Sequence, residues 1–431
     1  MRKVVVIGAG VMGLAAAYQA LLDGCDVDIL EASAEPGGMA AHFDFGGISI
    51  ERFYHFVCKT DHPTFELLRD LGIADKMRWV PTSMGFFSQG KMHHWGDPVS
   101  LLKLPGVRLI SKLRYGFFVF ACTHRDRWPA LENRSAREWI IRYCGRDIYD
   151  RFWHPLLDFK YYEYANNISA AWIWTRIRRI GKSRKNIMQE ELGYIDGGSK
   201  TLVDALVDAI DRLGGRFHLD TPVKRVVTEN GRVTGVDTAA MYFAADDVIS
   251  TVPIPLIPRM VPDLPPELKA RYQAIHSIGV ICVVLKLKRP VSPHFWVNIS
   301  EDGMEIPGII EFSNLRSVGG DAIVYVPYYM PITNPKFSWS DDRLLEEVVS
   351  CLQRINPALV REDIVEVKVS RLKHGQPVCE PGFAAKIPPI QTPIQGLQIA
   401  DTCYYYPEDR GIAESVRMGR NVARAVKRFD R

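Results

Sequence analysis

Val4, Val5, Val6 and Ile7 form an unbroken apolar run directly after Lys3, the pattern of a strand buried on both faces. From Leu14 to Leu22 the chain becomes alanine-rich and helical in character, stopping near Gly24, and Asp26 to Leu30 returns to strand character before Glu31. Leu202 to Leu213 repeats apolar positions at helical spacing and ends at Gly214-Gly215. Arg216 to Leu219, Thr221 to Thr228, Gly231 to Val236 and Asp247 to Thr251 then read as strands and hairpins. Further on, Ile278 to Leu287 and Asp321 to Tyr328 read as sheet strands, and Asp342 to Arg354 as an amphipathic helix. Gly411-Ile412-Ala413 opens a last helix running through Arg428. No internal repeat or low-complexity tract interrupts this order.

The first strand leads straight into Gly8-Ala9-Gly10-Val11-Met12-Gly13, a G-x-G-x-x-G turn in which each glycine has a separate task. Gly8 permits the tight turn, Gly10 lets the backbone approach a pyrophosphate, and Gly13 lets the helix pack closely on the sheet. Val11 and Met12 offer their backbone N–H groups at the helix start, where an anion is favoured. Glu31 closes the second strand about 20 residues later, where an acid meets a ribose hydroxyl. Strand, glycines, helix, second strand and acid in this order predict a dinucleotide site.

The sequel, Ala34-Glu-Pro-Gly37-Gly38, would bring a second glycine loop against the same ligand. This run resembles the monoamine oxidase, protoporphyrinogen oxidase and phytoene desaturase superfamily of FAD-dependent flavoproteins. Met39 stands where that family usually has an arginine, with Arg52 as a substitute. Two distant segments extend the resemblance: Tyr194-Ile-Asp-Gly-Gly198 with its following helix and strands, and Gly396 to Asp401 followed by Gly411-Ile412-Ala413. The resemblance implies that Val223 lies near the adenine, that Asp401 meets the ribityl chain or phosphate despite Ala400 in place of a glycine, and that the last helix begins under the flavin.

It also implies one non-covalent FAD and an α/β fold: a discontinuous Rossmann-like FAD-binding domain (residues 1–80, 190–255 and 391–431) with an inserted α+β substrate domain built on a mixed sheet (81–189 and 256–390). The first insertion is expected to be largely helical. Its aromatic residues Trp139, Tyr149, Phe152, Trp153, Phe159, Tyr161, Tyr162, Tyr164, Trp172 and Trp174 suggest core together with an apolar pocket wall.

Composition narrows the partners. A net charge of +4 with 24% charged residues gives no footprint for nucleic acid. The eight cysteines are scattered without a C-x-x-C pair, which suits free thiols in a cytoplasmic protein better than disulfides or a metal site. A strand at the very start leaves no room for a signal peptide, and no apolar run reaches the ~18 residues of a spanning helix. Leu101 to Phe120, in contrast, mixes leucines and aromatics with Lys103, Arg108, Lys112 and Arg114 and holds no acid. That stretch predicts reversible, peripheral association with an anionic membrane surface, to which the basic run Arg176, Arg178, Arg179, Lys182, Arg184 and Lys185 would add.

The expected chemistry is removal of a hydride from a C–H bond of a hydrophobic small molecule, with oxygen or a quinone as final electron acceptor. Tyr54, His55 and Tyr404 are the flavin-face candidates. Amine oxidases of the superfamily carry a lysine where Cys282 stands here, so simple amines are expected to be poor substrates; Lys286 and Lys288 read as solvated. Two alternatives stay open: a non-redox enzyme acting on a sugar nucleotide, resembling UDP-galactopyranose mutase in Ile50-Glu-Arg-Phe-Tyr-His-Phe-Val57 followed by Thr60-Asp61, with the basic residues near 176–185 to meet a diphosphate, and a flavin-containing subunit without turnover.

Overall fold

The computed structural model describes residues 1–426. The end of the last predicted helix, through Arg428, lies outside the described residues.

Five parallel strands form the first sheet, in the order Arg216–His218, Asp26–Leu30, Lys3–Ile7, Asp247–Ser250, Leu397–Ile399. Val4 to Ile7 sit at its centre, which is why they are apolar throughout. Helix Val11–Leu22 is almost wholly buried because it is covered in turn by helices Ser199–Arg212 and Ile412–Val426. Small residues set the closeness of that packing: a Cβ on Gly419 would lie 2.2 Å from the Met12 carbonyl oxygen. A three-stranded antiparallel sheet (Val223–Glu229, Arg232–Thr238, Tyr242–Ala244) stands beside this layer.

A seven-stranded sheet forms the second body, in the order Ile364–Pro377, Ser277–Leu287, Ala322–Met330, Gly308–Glu311, Trp296–Ile299, Met84–Ser88, Lys91–Trp95. It is mixed, since Trp296–Ile299 pairs parallel with Met84–Ser88 while its other ladders are antiparallel. Helix Asp341–Ile355 is amphipathic, with Leu344, Val348 and Leu352 buried. Residues between 98 and 182 are mainly helical, including Leu109–His124, His154–Tyr161 and Ala170–Lys182. The apolar stretch 101–120 is not one element: helix Pro98–Lys103 ends before Pro105-Gly106, and Leu109–His124 begins anew.

A buried polar knot ties the seven-stranded sheet to helix Ser199–Arg212 through Glu51, on the hairpin His42–Asp44/Ser49–Glu51. The Arg316 guanidinium donates to both Glu51 carboxylate oxygens at 3.1 Å. The Ser199 N–H at the start of helix Ser199–Arg212 donates to Glu51 Oε1, and the Tyr325 hydroxyl donates to the Glu51 carbonyl at 2.8 Å. Burial opposes ionisation of Glu51, but the hydrogen bond from His42 and the Arg316 charge outweigh it and hold the carboxyl at about 2.

Candidate functional site

The two glycine loops meet. Gly37 donates its N–H to the Ala9 carbonyl at 2.8 Å, and Gly37 and Gly10 form a parallel bridge. Gly8 and Gly37 adopt φ of +99° and +117°, conformations that L side chains rarely take. Glu31 organises the first loop, its carboxylate accepting from the Ala9 N–H at 2.7 Å and the Ser33 N–H at 2.9 Å. No side-chain oxygen caps helix Val11–Leu22 at Gly10, and no acid occupies its first turn. The N–H groups of its first turn therefore face the adjoining cavity without a side-chain cap of their own.

That cavity measures about 2010 Å³, roughly twice the upper end of an ordinary small-molecule site at ~1,000 Å³. Gly8, Gly10, Val11, Met12, Glu31, Gly37, Gly38 and Met39 line one part of it, and Asp401, Gly411 and Ile412 another. The glycines discriminate between structural need and ligand space. A Cβ on Gly13 would lie 1.8 Å from the Gly8 carbonyl oxygen, so that glycine serves helix packing and is not a lining residue. A Cβ on Gly10 would meet only the Gly38 Cα at 4.0 Å, and one on Gly411 would meet nothing within 4 Å. Those two positions have room for a side chain and carry none, as a cradle for a ligand requires.

The other predicted residues divide. Asp401 lines the cavity while accepting from the Ile254 N–H at 2.9 Å and the Cys403 N–H at 2.8 Å, so it also pins two loops together. Ala413 and Val223 are not among the lining residues; Val223 opens the neighbouring antiparallel sheet, opposite Thr238. Arg52 lines the cavity with Met39 and donates to the His42 carbonyl at 3.1 Å.

Tyr54 and His55 line the cavity. The Tyr54 hydroxyl lies 3.2 Å from that of Tyr329, and its ring packs edge-on to Trp296. Burial, together with Tyr329, keeps that phenol protonated. His55 is neutral because burial pushes it down to about 4, and its Nδ1 is buried without a hydrogen-bond partner among the described residues. Tyr404 does not line the cavity: it is buried close to Tyr272, and Tyr405, hydrogen-bonded to the Ser415 hydroxyl at 2.8 Å, takes the wall position. The Tyr404-Tyr405-Tyr406 run contains no pattern that distinguishes which ring faces inward.

Of the aromatic residues singled out in the first insertion, only Trp153 lines the cavity, and Trp139, Tyr149, Tyr161, Trp172 and Trp174 are buried core. The wall comes from elsewhere: Phe53, Trp95, Tyr115, Phe295, Trp296 and Tyr329. Lys286 is not solvated; it is buried and pairs with Asp321 at 3.3 Å, whereas Lys288 is exposed. Cys282 lines the cavity as a buried thiol that burial keeps protonated.

The sequence pattern of the family described as flavin containing amine oxidoreductase matches residues 12–426. The chain belongs to this family. Its flavin is FAD, and the paired glycine loops, the uncapped helix start and the open space at Gly10 and Gly411 fit that cofactor. Among relatives of this flavoprotein, a zeta-carotene desaturase of Solanum lycopersicum is 24% identical over 75% of this chain and 59% of its own length. A phytoene desaturase of Neurospora crassa is 21% identical over 54% of this chain and 43% of its own. The chain thus spans about three-fifths or less of these curated relatives. A provisionally assigned protoporphyrinogen oxidase from an Exiguobacterium species has the same fold, with a TM-score of 0.76 at 18% identity over 99% of this chain and 98% of that one. A putrescine oxidase bound to putrescine superposes at a TM-score of 0.75 with 16% identity over 99% of both chains.

Proposed function

We propose that this flavoprotein is an FAD-dependent oxidoreductase that removes a hydride from a C–H bond of a hydrophobic small molecule, with oxygen or a quinone as final acceptor. The observation that carries this reading is one cavity continuous from the glycine loops, past an aromatic wall, to the exposed apolar helix Leu109–His124. Bound FAD supplies a two-electron acceptor. The chain's own groups do the rest: the aromatic wall excludes water, Tyr54 holds a proton on its hydroxyl, and His55 offers an uncharged Nδ1 to a ligand. The sheets support a division of labour in which residues 1–80, 190–255 and 391–431 hold FAD, and 81–189 with 256–390 hold the substrate.

A membrane surface is the proposed source of that substrate. Leu109, Ile110, Leu113, Phe117 and Phe120 are all more than half exposed, and Leu113, Phe117 and Phe120 also line the cavity mouth. The electrostatic contribution is smaller than the sequence suggests. Lys112 is buried and donates to the Leu102 carbonyl, Arg108 pairs with Asp147, and Arg114 donates to the Arg142 and Tyr143 carbonyls. In the second basic run Arg176, Arg178, Arg179 and Lys182 are paired with Asp409, Asp126, Asp61 and Asp126. Apolar insertion therefore dominates over charge. No helix among the described residues is long and apolar enough to cross a membrane.

Anaerobic mixing with isoprenoids, tetrapyrroles, amines and sugar nucleotides tests the reading through the flavin absorbance. Bleaching by an apolar compound, reversed on admitting oxygen or a quinone, is expected. A flavin that only amines bleach would place the enzyme on the amine-oxidising side, and a flavin that none bleaches would remove the redox assignment.

A further inference from the structure

At the aromatic wall the cavity holds a group of cations, two of which lie outside the segments assigned to FAD. Lys160, on helix His154–Tyr161, is 93% buried yet lines the cavity, and among the described residues it makes no hydrogen bond or ion pair. Its ammonium is held only by aromatic faces, 4.7 Å from the Tyr329 ring centroid and 5.0 Å from that of Trp172. Two arginines share those rings: Arg176 lies 4.7 Å from the Trp172 centroid and Arg410 5.3 Å from the Tyr329 centroid. Arg410 also donates to the Tyr329 hydroxyl at 3.2 Å, which continues to Tyr54. Asp409 is the nearby carboxylate, and it is already engaged by Arg176, the Gln376 amide and the Arg410 N–H. Three cationic side chains thus face the cavity around one carboxylate whose oxygens are already used.

We propose that Lys160, Arg176 and Arg410 form an anchor for the anionic head group of an otherwise apolar substrate. A buried cation without an acceptor is costly, and a ligand anion is the acceptor that would relieve it. Burial and the Arg176 charge oppose the charged form of this lysine, and a ligand anion beside it would favour its ammonium. Lys160, Arg176 and Tyr329 lie outside the three segments assigned to FAD, and the glycine cradle for its phosphates is built without them; Arg410 lies inside the third segment, directly before Gly411, and joins the cluster through Tyr329. Leu113, Phe117 and Phe120 give the same cavity an apolar mouth, so its two parts match an amphipath: apolar body outward, charged head inward. The anchor rests on the proposed function and narrows its substrate class from hydrophobic small molecules in general to those with an anionic head group.

The test uses the FAD-loaded protein and a series of probes with one ten-carbon chain: decanoate, decyl phosphate, decanol and decylamine, with UDP as a polar anion. Affinities are read from the flavin difference spectrum. Decanoate or decyl phosphate is expected to bind at least tenfold tighter than decanol, and the ranking of the two names the head group. Lys160→Met should bring that ratio close to one with flavin content unchanged, and Lys160→Arg should keep it. Equal binding of decanol, tighter binding of decylamine or UDP, or an undiminished preference in Lys160→Met would overturn the anchor. Should Lys160→Met lose its flavin, the wild-type series and Lys160→Arg still decide. Failure here leaves flavin bleaching by uncharged compounds intact, whereas failure of the redox reading removes bleaching while anion binding persists.

Discussion

Gly10 and Gly13 stand one helical turn apart and answer to different neighbours. A methyl group on Gly13 collides with the Gly8 carbonyl, while one on Gly10 enters open cavity. Gly13→Ala is therefore expected to unfold or strongly destabilise the apoprotein. Gly10→Ala should leave the apoprotein melting temperature unchanged and weaken FAD binding at least tenfold, checked by thermal melts and by flavin fluorescence titration. Glu51 supplies a second contrast, because its importance is structural although it lies beside the cavity. Glu51→Gln leaves the buried Arg316 without its counter-charge and should cost about 3–5 kcal/mol in a denaturant titration. The same knot gives an acid limit. The folded carboxyl, at about 2, lies below its ordinary value of 4.5, so its contribution is complete above about pH 4.5 and is lost as pH falls toward 2. Wild-type stability should decline across that interval, and Glu51→Gln should decline less steeply.

Helix Leu109–His124 shows what an element displays beyond its own stability. Its inner face, with Ser111, Phe118 and Cys122, packs into the protein, while its outer leucines and phenylalanines are exposed. Replacing Phe117 and Phe120 by serine should change stability by no more than about 0.5 kcal/mol each, as at other exposed positions. The same change should greatly reduce co-sedimentation with liposomes; high salt should have a weak effect, because most of the basic residues nearby are already paired. Undiminished binding of the double variant would leave this face a solvated helix. Elements of this kind mark how far the sequence could be read. The central strands, the glycine turn, Glu31 and the last helix were legible because period and turn chemistry act within about 20 residues. The knot of Glu51 with Arg316 and the anchor around Lys160 join residues far apart in the chain, and no local period encodes such contacts. Lys160 left one trace, a lysine inside the aromatic run Phe159 to Tyr162. Most rings of the aromatic-rich insertion are core as expected, but which one faces the cavity was not legible for the same reason: density of rings along the chain marks burial, not the direction each ring faces.

At the scale of the whole molecule, the cavity is lined by loops at the strand ends of the five-stranded sheet and by strands of the seven-stranded sheet, so cofactor binding and global stability are linked. FAD at a hundred times its dissociation constant should add about 2.7 kcal/mol and raise the melting temperature accordingly. Acid precipitation should release the colour, because Cys403 is buried and is not among the cavity-lining residues. Retained colour in the pellet would show a covalent link.

The central sheet pairs Lys3–Ile7 with Asp247–Ser250, and Asp247–Ser250 with Leu397–Ile399, while Ile412–Val426 closes over the first helix. During synthesis this order imposes a wait. The first glycine loop leaves the ribosome early, but the strand and helix that complete its site follow nearly 400 residues later, on the order of 20–80 s at ~5–20 residues per second. Until Asp247–Ser250 follows, the apolar first strand lacks a neighbour on one side, and from then until Leu397–Ile399 emerges the open edge is that of Asp247–Ser250, a template for aggregation. A complete FAD site is thus expected only once Leu397–Ile399 and Ile412–Val426 have emerged, which flavin capture by chains arrested before and after these elements would check.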